Sequence, residues 1–192
     1  YIVVHFTANN GDTAYGNTNY FKSYRGASAH YFIDENGIYQ SIEDKNIAWH
    51  CGAKKYKHST CRNSNSLGVE LCSRKDSKGN FYFMDKTVDN AVELVKMLMT
   101  KYNVPIANIL RHYDITGKNC PEPFVRDVKA WHNFKNRLEE KVVKQNIKIN
   151  GKVKSVDAIN KDGYTYIKIR DLSDILSIMY DKNTKLITLS VK

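Results

Sequence analysis

The chain opens with a run of β-branched and aromatic residues, 1–7, that contains no acidic side chain, lysine or arginine. Such a run predicts a strand buried on both faces, because a half-exposed strand alternates apolar with polar residues. His5 stands near the C-terminal end of this strand, just before the polar loop 8–12. Open α/β sheets place their sites at the C-terminal ends of strands, so His5 is a candidate site residue, although a strand histidine is commonly structural.

A second segment, residues 111–121, brings a histidine, a lysine and a cysteine into one short loop: His112, Lys118 and Cys120. Gly117 allows a tight turn, and Pro121 favours an extended backbone at the residues just before it. Zinc accepts both imidazole nitrogen and thiolate sulfur. Two ligands do not close a site, so the loop alone is either part of a metal centre or a polar loop with an incidental cysteine.

The segment 66–72 alternates, with Leu67, Val69 and Leu71 on one face and Gly68, Glu70 and Cys72 on the other. Glu70 lies in the middle of this apolar strand. A carboxylate there must be paired, neutralised or close to a metal. The alternative is an edge strand that exposes Glu70 to water.

Apolar spacing predicts helices at 13–24, 85–102 and 122–145. Further strands are predicted at 29–34 and 38–42, joined by a hairpin turn at Asn36-Gly37 with positive φ angles. The polar stretch 54–64 predicts a long surface loop beside a site.

Taken together, His5, His112 and Cys120 would hold a tetrahedral zinc ion with one open position, which is a catalytic arrangement. Zinc lowers the pKa of bound water from about 15.7 to about 7. Glu70 could take the proton of that water, and Lys118 could stabilise the oxyanion that forms. This set of residues predicts hydrolysis of an amide.

Five segments carry a family resemblance: 3–7, 28–34, 48–52, 66–71 and 111–121. They stand in the order seen in the zinc-dependent N-acetylmuramoyl-L-alanine amidases of the peptidoglycan-recognition-protein superfamily. The chain is most similar to endolysins of phages that infect Gram-positive bacteria. The resemblance covers residues 1–144.

The resemblance implies an α/β fold with a central mixed β-sheet flanked by helices, and cleavage of the bond between N-acetylmuramic acid and L-alanine. It assigns zinc to His5, His112 and Cys120 and catalysis to Glu70 and Lys118. It places three further residues in the substrate groove: His30, Trp49 and His50. For His30 and His50 the alternative is a structural role. Some members have tyrosine where this chain has Ala29, which leaves Glu70 as the better base.

From about residue 145 the pattern changes to short alternating strands with turns at Asn150-Gly151 and 161–163, a short helix at 169–179 and a last strand at 186–189. We therefore expect two domains, an amidase domain at 1–144 and a small β-rich module at 145–192. The module resembles a repeat of Gram-positive surface proteins named after the N-terminal domain of copper amine oxidases, without implying copper. The expected role is binding of the cell wall through anionic polymers. Self-association into a homo-oligomer and a stabilising appendage are the alternatives.

The net charge of +10 is explained either by binding to an anionic wall polymer or by an excess of surface lysine. The sequence has no block of alternating basic and aromatic residues of the kind that binds single-stranded nucleic acid. No apolar run is long enough to span a membrane. The chain starts at Tyr1 inside an apolar run, so we expect residues upstream. The expected partner is bacterial peptidoglycan. An endolysin would reach it after release from the host cytoplasm, and an autolysin would reach it by secretion. Competing hypotheses are a non-catalytic peptidoglycan-binding protein and a basic nucleic-acid binder.

The sequence has four cysteines, and no two of them form a CxxC motif. Cys51 and Cys61 flank the polar loop and could form a disulfide. We favour four reduced thiols, one of them a metal ligand.

Overall fold

The computed structural model describes residues 1–139, 142–149, 151–161, 164–167, 169–182, 184 and 187–191. They fall into two compact units, residues 1–139 and 140–192. Within the described residues, no helix is long and apolar enough to cross a membrane.

The elements of the first unit are β1 Ile2–Phe6, α1 Ala14–Tyr20, β2 Tyr31–Ile33, β3 Ile38–Gln40, β4 Leu67–Leu71, β5 Arg74–Lys75, β6 Phe81–Tyr82, α2 Asp85–Tyr102, β7 Ile109–Arg111, α3 His112–Thr116, α4 Glu122–Arg126 and α5 Val128–Leu138. The elements of the second are β8 Val142–Ile149, β9 Lys152–Lys161, β10 Tyr164–Ile167, β11 Leu176–Tyr180 and β12 Ile187–Val191. Short 3₁₀ turns lie at Asn63–Asn65, Ile106–Asn108 and Ile169–Leu172.

The first unit is built on a five-stranded mixed sheet in the order β3-β2-β4-β1-β7. β1 runs parallel to β4 and β7, β2 runs parallel to β4, and β3 is the antiparallel edge strand. This confirms the predicted α/β class with a central mixed sheet and flanking helices.

Alternation along the strands separates two faces of the sheet. Ile2 and Val4 belong to the main core together with Val69 and Leu71, and the buried faces of α2 and α5 cover that side. Val3 belongs to a different cluster on the opposite side. The predicted alternation of 66–72 is confirmed, and Glu70 therefore points away from the main core, to the side of Val3.

The hairpin predicted after β2 is confirmed, but its geometry is different from the prediction. Gly37 does not have a positive φ angle. The Asp34 carboxylate instead accepts hydrogen bonds from the backbone N–H groups of Asn36 and Gly37 at 2.8 and 2.9 Å. A side-chain acceptor thus closes this turn, as aspartate commonly does.

The single helix predicted over 122–145 is wrong. Asp127 has an extended backbone, with φ −109° and ψ 92°, and separates α4 from α5. Its side chain accepts a hydrogen bond from the Ala130 N–H at 3.0 Å and caps a new helix. The chain is extended again at Glu139, and 142–149 pair with β9 as a strand.

The second unit contains a three-stranded antiparallel sheet in the order β10-β9-β8 and a two-stranded sheet of β11 and β12. The predicted β-rich character is confirmed, while the predicted helix at 169–179 is wrong: only Ile169–Leu172 is helical, and Leu176–Tyr180 is a strand. Asn150, the turn residues 162–163 and Leu186 lie outside the described residues. The compact units divide at 139/140, five residues before the expected domain boundary.

Candidate zinc-hydrolase site

The sheet register places three polar residues side by side at the C-terminal edge of neighbouring strands. His5 of β1 is the direct partner of Glu70 in β4. Val4 pairs with Arg111, the last residue of β7, so His112 follows at the level of His5. Residues at the same level of a parallel sheet project to the same face, which brings segments far apart in sequence into one site.

His5, His112 and Cys120 form a compact group of metal-ligand atoms. One donor atom from each lies within 4.8 Å of the other two, and all three residues are buried. His5 Nδ1 lies 3.6 Å from Cys120 Sγ, and the rings of His5 and His112 meet edge to face at 4.8 Å. Within the described residues this is the one group of three such side chains.

The local fold around Cys120 explains how it reaches the strand edge. Gly117 ends α3 with a left-handed φ of 84°, which turns the chain back toward β1. The Cys120 carbonyl then accepts a hydrogen bond from the Tyr113 N–H at 2.8 Å. The backbone of Phe6, at the end of β1, acts to lower the pKa of the Cys120 thiol, against the larger effect of burial.

The chemistry of these donors fits a zinc ion. His112 Nδ1 is buried without a hydrogen-bond partner in the described structure, which is costly unless a ligand satisfies it. Burial lowers the pKa of His112 to about 4, and it also lowers the pKa of His5, so both rings are neutral and able to coordinate. Burial and the Glu70 carboxylate raise the pKa of Cys120 to about 12, so its thiolate needs a cation beside it.

Glu70 provides a proton acceptor next to these metal-ligand atoms. Its Oε2 is buried without a hydrogen-bond partner in the described structure. Burial raises the pKa of Glu70 to about 8, and the nearby Lys118 ammonium acts in the opposite direction. A proton can therefore bind to and leave this carboxylate near neutral pH.

A groove with a volume of about 730 Å³ opens over the group. Its lining includes His5, Glu70, His112, Lys118 and Cys120. One wall is aromatic: Trp49 is 53% exposed and meets the ring of Tyr24 edge to face at 6.2 Å. The groove thus combines polar groups with an exposed aromatic rim, as ligand sites commonly do.

The three residues expected in the substrate groove differ in their surroundings. Trp49 lines the groove, anchored by hydrogen bonds between its backbone and Ser28. His30 is fully buried, with Nδ1 accepting from the Gly68 N–H at 2.9 Å and Nε2 3.1 Å from the Asn46 carbonyl. These contacts give His30 a structural role, and substrate binding by it stays a prediction. His50 touches the groove, but both of its ring nitrogens contact protein side chains.

The four cysteines carry free thiols. Cys51 and Cys61 are buried in one cluster with Val3 and Ile115.

A family model described as N-acetylmuramoyl-L-alanine amidase matches residues 1–123, nearly two thirds of the chain. The chain belongs to this amidase family. A probable N-acetylmuramoyl-L-alanine amidase of Bacillus licheniformis is 35% identical over 160 residues, covering 78% of this chain and 44% of the relative. The amidase BlyA of Bacillus subtilis is 35% identical over 154 residues, covering 73% of this chain and 41% of the relative. The chain thus spans less than half the length of these two amidases.

Solved structures of the amidase family share the fold. The catalytic domain of XlyA is 31% identical, with a TM-score of 0.60, and the match covers 72% of this chain and 85% of XlyA. PlyL is 31% identical with a TM-score of 0.61, over 72% of this chain and 82% of PlyL. The PlyG catalytic domain is 32% identical with a TM-score of 0.61, over 72% and 79%.

Sequence reasoning assigned no role to two residues on the site face of this amidase-family chain, Ser66 and Gly68, although it placed Gly68 on the face of Glu70. Ser66 Oγ lies 3.2 Å from His50 Nε2. A Cβ atom built on Gly68 would lie 2.5 Å from Cγ of His50, so the missing side chain makes room for that ring. The period of two in β4 places both on the face of Glu70, and that signal could have identified them.

Proposed function

We propose that this chain is a zinc-dependent N-acetylmuramoyl-L-alanine amidase that hydrolyses the amide bond between N-acetylmuramic acid and L-alanine in bacterial peptidoglycan. The observation that carries the proposal is the group of His5, His112 and Cys120 beside Glu70 at the base of an open groove. Membership of the amidase family supports the choice of reaction and substrate.

In the proposed reaction, His5, His112 and Cys120 hold one zinc ion. When bound, zinc acidifies water and polarises a carbonyl group. Glu70 Oε2 takes the proton of the attacking water and passes it to the departing amide nitrogen. Lys118 Nζ approaches the substrate carbonyl oxygen and balances the charge that develops there.

The groove residues would bind and orient the muropeptide. Trp49 offers an exposed aromatic face at the rim, suited to the apolar face of a sugar ring or an alkyl side chain. Residues 140–192 would attach the enzyme to the cell wall. We propose action at the wall itself, reached by lysis or by secretion.

A non-catalytic peptidoglycan-binding protein on the same fold is the second candidate. It would need the groove but neither a zinc ligand at Cys120 nor a base at Glu70. Glu70 is the strand partner of His5, and Cys120 Sγ lies 3.6 Å from His5 Nδ1, which favours the enzyme.

Exchange of the proposed thiolate ligand tests the proposal. Cys120→Ser should lower bound zinc from about one per chain to near zero and abolish release of dye-labelled peptidoglycan. Cys72→Ser is the matched control: Cys72 is equally buried, carries a free thiol and does not line the groove. It should keep both properties. Wild-type protein that binds zinc but leaves peptidoglycan intact would favour the binding protein.

A further inference from the structure

His50 is buried directly behind the proposed metal ligand His5. Its Nδ1 lies 2.9 Å from His5 Nε2, and its Nε2 lies 3.2 Å from Ser66 Oγ. Only 9% of His50 is exposed. Both ring nitrogens therefore bond within the protein, and His50 connects Ser66 to His5.

The hydrogen-bond partners determine the direction in which protons are donated along this chain of contacts. Ser66 Oγ donates its single proton to the Arg62 carbonyl oxygen at 2.7 Å, since a carbonyl only accepts. The hydroxyl must then accept from His50 Nε2–H. A neutral imidazole carries one N–H, so His50 Nδ1 accepts, and the proton between the two rings belongs to His5 Nε2.

This direction leaves the lone pair of His5 on Nδ1. That is the atom 3.6 Å from Cys120 Sγ, on the side of the proposed metal ligands. We propose that Ser66 and His50 are positioning residues that hold His5 in its Nε2–H tautomer, with Nδ1 aimed at the metal. The inference rests on the proposed zinc enzyme. It adds Ser66, to which no role has been assigned, and gives His50 a role other than the expected contact with substrate.

The backbone around His50 is built to hold the ring in place. The Asn63 side-chain oxygen accepts hydrogen bonds from the N–H groups of His50 and Cys51 at 3.2 and 2.8 Å. Gly68 leaves the space that the ring occupies, and its φ is not in the left-handed region, so room is the reason for glycine there.

A positioning role and a substrate-binding role for His50 differ in what they affect. A ligand whose outer partner is removed binds metal more weakly, commonly by 10- to 100-fold. A residue that only contacts substrate changes KM and leaves the zinc affinity of the free protein unchanged. Zinc affinity measured without substrate therefore separates the two roles.

The first measurement is the tautomer of His5 in the metal-free wild-type chain 1–192, read from long-range ¹H–¹⁵N NMR correlations of the imidazole rings. We expect the proton on Nε2. A His5 proton on Nδ1 overturns the inference, whether or not any variant folds.

The second measurement compares zinc dissociation constants, obtained by competition with a chromophoric chelator, for wild type, Ser66→Ala and Ser73→Ala. Ser73 is the control because it is buried and donates its hydroxyl to the Asn9 carbonyl at 2.8 Å, outside the chain of contacts. Ser66→Ala acts on His5 through His50, so it should weaken zinc binding by at most the 10- to 100-fold loss that follows removal of a direct partner of a ligand, and Ser73→Ala should bind zinc like wild type.

Three outcomes are informative. Equal zinc affinity of a folded Ser66→Ala and the wild type contradicts the positioning role. Equal losses in both serine variants also contradict it, because they indicate general loosening. Absence of zinc binding by the wild type contradicts the proposed function instead, and the His5 tautomer still decides the inference.

Discussion

Glu70 is the residue on which the proposed chemistry depends most. It sits at the level of His5 in the neighbouring strand, with one carboxylate oxygen buried and without a partner in the described structure. Nothing in the packing of β4 requires a carboxylate at that position. An isolated buried oxygen is costly to a fold and is expected where it serves a reaction.

Replacement of Glu70 separates catalysis from metal binding. Glu70→Gln should lower the rate on peptidoglycan by about 10²- to 10⁴-fold, the usual contribution of a general base, while keeping about one zinc per chain. Dye release and elemental analysis of the same sample measure both. Glu43→Gln, at an exposed residue paired with Lys45, is the control and should have the wild-type rate. Full activity of Glu70→Gln would exclude Glu70 as the base.

Gly68 offers a test of the space behind His5. In Gly68→Ala the new Cβ would overlap the His50 ring, so the ring must move and its contact with His5 must change. We expect a loss of about 1–3 kcal/mol in the free energy of unfolding, typical of overpacking, together with weaker zinc binding. Urea unfolding and zinc competition measure the two effects.

Gly37→Ala is the matched control for that substitution. Its new Cβ would meet only the Tyr39 ring at an ordinary 3.7 Å. A Gly68→Ala protein as stable as Gly37→Ala, with wild-type zinc affinity, would show that the ring is not held in place.

The residues proposed to react could be singled out from the sequence because their chemistry is rare in their setting. Glu70 interrupts an apolar strand, and Cys120 and His112 share a short loop. The chemistry of His50 and Ser66 gave no such signal: the family resemblance placed His50 only in the substrate groove, and Ser66 received no role. Their connection depends on the 2.9 and 3.2 Å contacts that only the folded chain creates.

At the scale of elements, the parallel strands of the mixed sheet decide where the candidate site forms. β4, β1 and β7 are adjacent, and their C-terminal ends carry Glu70, His5 and the start of α3. The other face is covered by α2 and α5 around Phe134 and Trp131. The face covered by helices thus stabilises the fold through apolar packing. The polar groups lie on the opposite face, at the C-terminal ends of the strands.

A second polar cluster ties α2 to the sheet, and it predicts a pH dependence of stability. Asp44 accepts hydrogen bonds from Tyr31, Lys101 and Tyr102 at 2.5, 2.8 and 2.7 Å. Although burial acts to raise it, these bonds lower the pKa of Asp44 to about 2 from 3.8. The carboxylate therefore stabilises the fold above about pH 4, and this contribution disappears as the pH falls toward 2.

The measurement is thermal unfolding of wild type and Asp44→Asn between pH 7 and pH 2. Asp44→Asn should melt at a lower temperature at pH 7, and the difference should shrink between pH 4 and pH 2. Asp89→Asn, which removes an exposed ion pair with Arg137, should change the melting temperature little. A difference that does not depend on pH would contradict the role of the Asp44 charge.

Strong periodicity made some elements predictable and concealed others. The helix at 85–102 was predicted at its observed bounds, because its apolar residues recur at helical spacing and most of them are buried in the fold. The helix over 122–145 was overextended, because apolar spacing continues through Val142 while Asp127 caps a new helix and the residues after 142 pair with β9. Caps and strand partners depend on tertiary contacts, which spacing does not report.

At the scale of the whole molecule, the chain contains two compact units, and each has its own sheets. All of the proposed metal ligands and catalytic residues lie in the first. We therefore expect protein ending at Glu139 to keep zinc and to cleave small soluble muropeptides at a rate within a few-fold of the full chain. Its binding to purified cell walls should fall.

Co-sedimentation of each protein with insoluble walls measures wall binding. Sedimentation of each protein alone measures its oligomeric state. Equal binding to walls would refute a wall-binding role for residues 140–192. A full chain that sediments as a dimer while the shorter protein sediments as a monomer would assign self-association to those residues.

The central claim is the identity of the bond that is cleaved, and mass spectrometry of peptidoglycan digested by the zinc-loaded full chain tests it most directly. The proposed reaction predicts stem peptides with a newly free amino group on L-alanine and glycan strands with unsubstituted muramic acid carboxyl groups. New reducing sugar ends, or new amino termini at residues other than L-alanine, would contradict it.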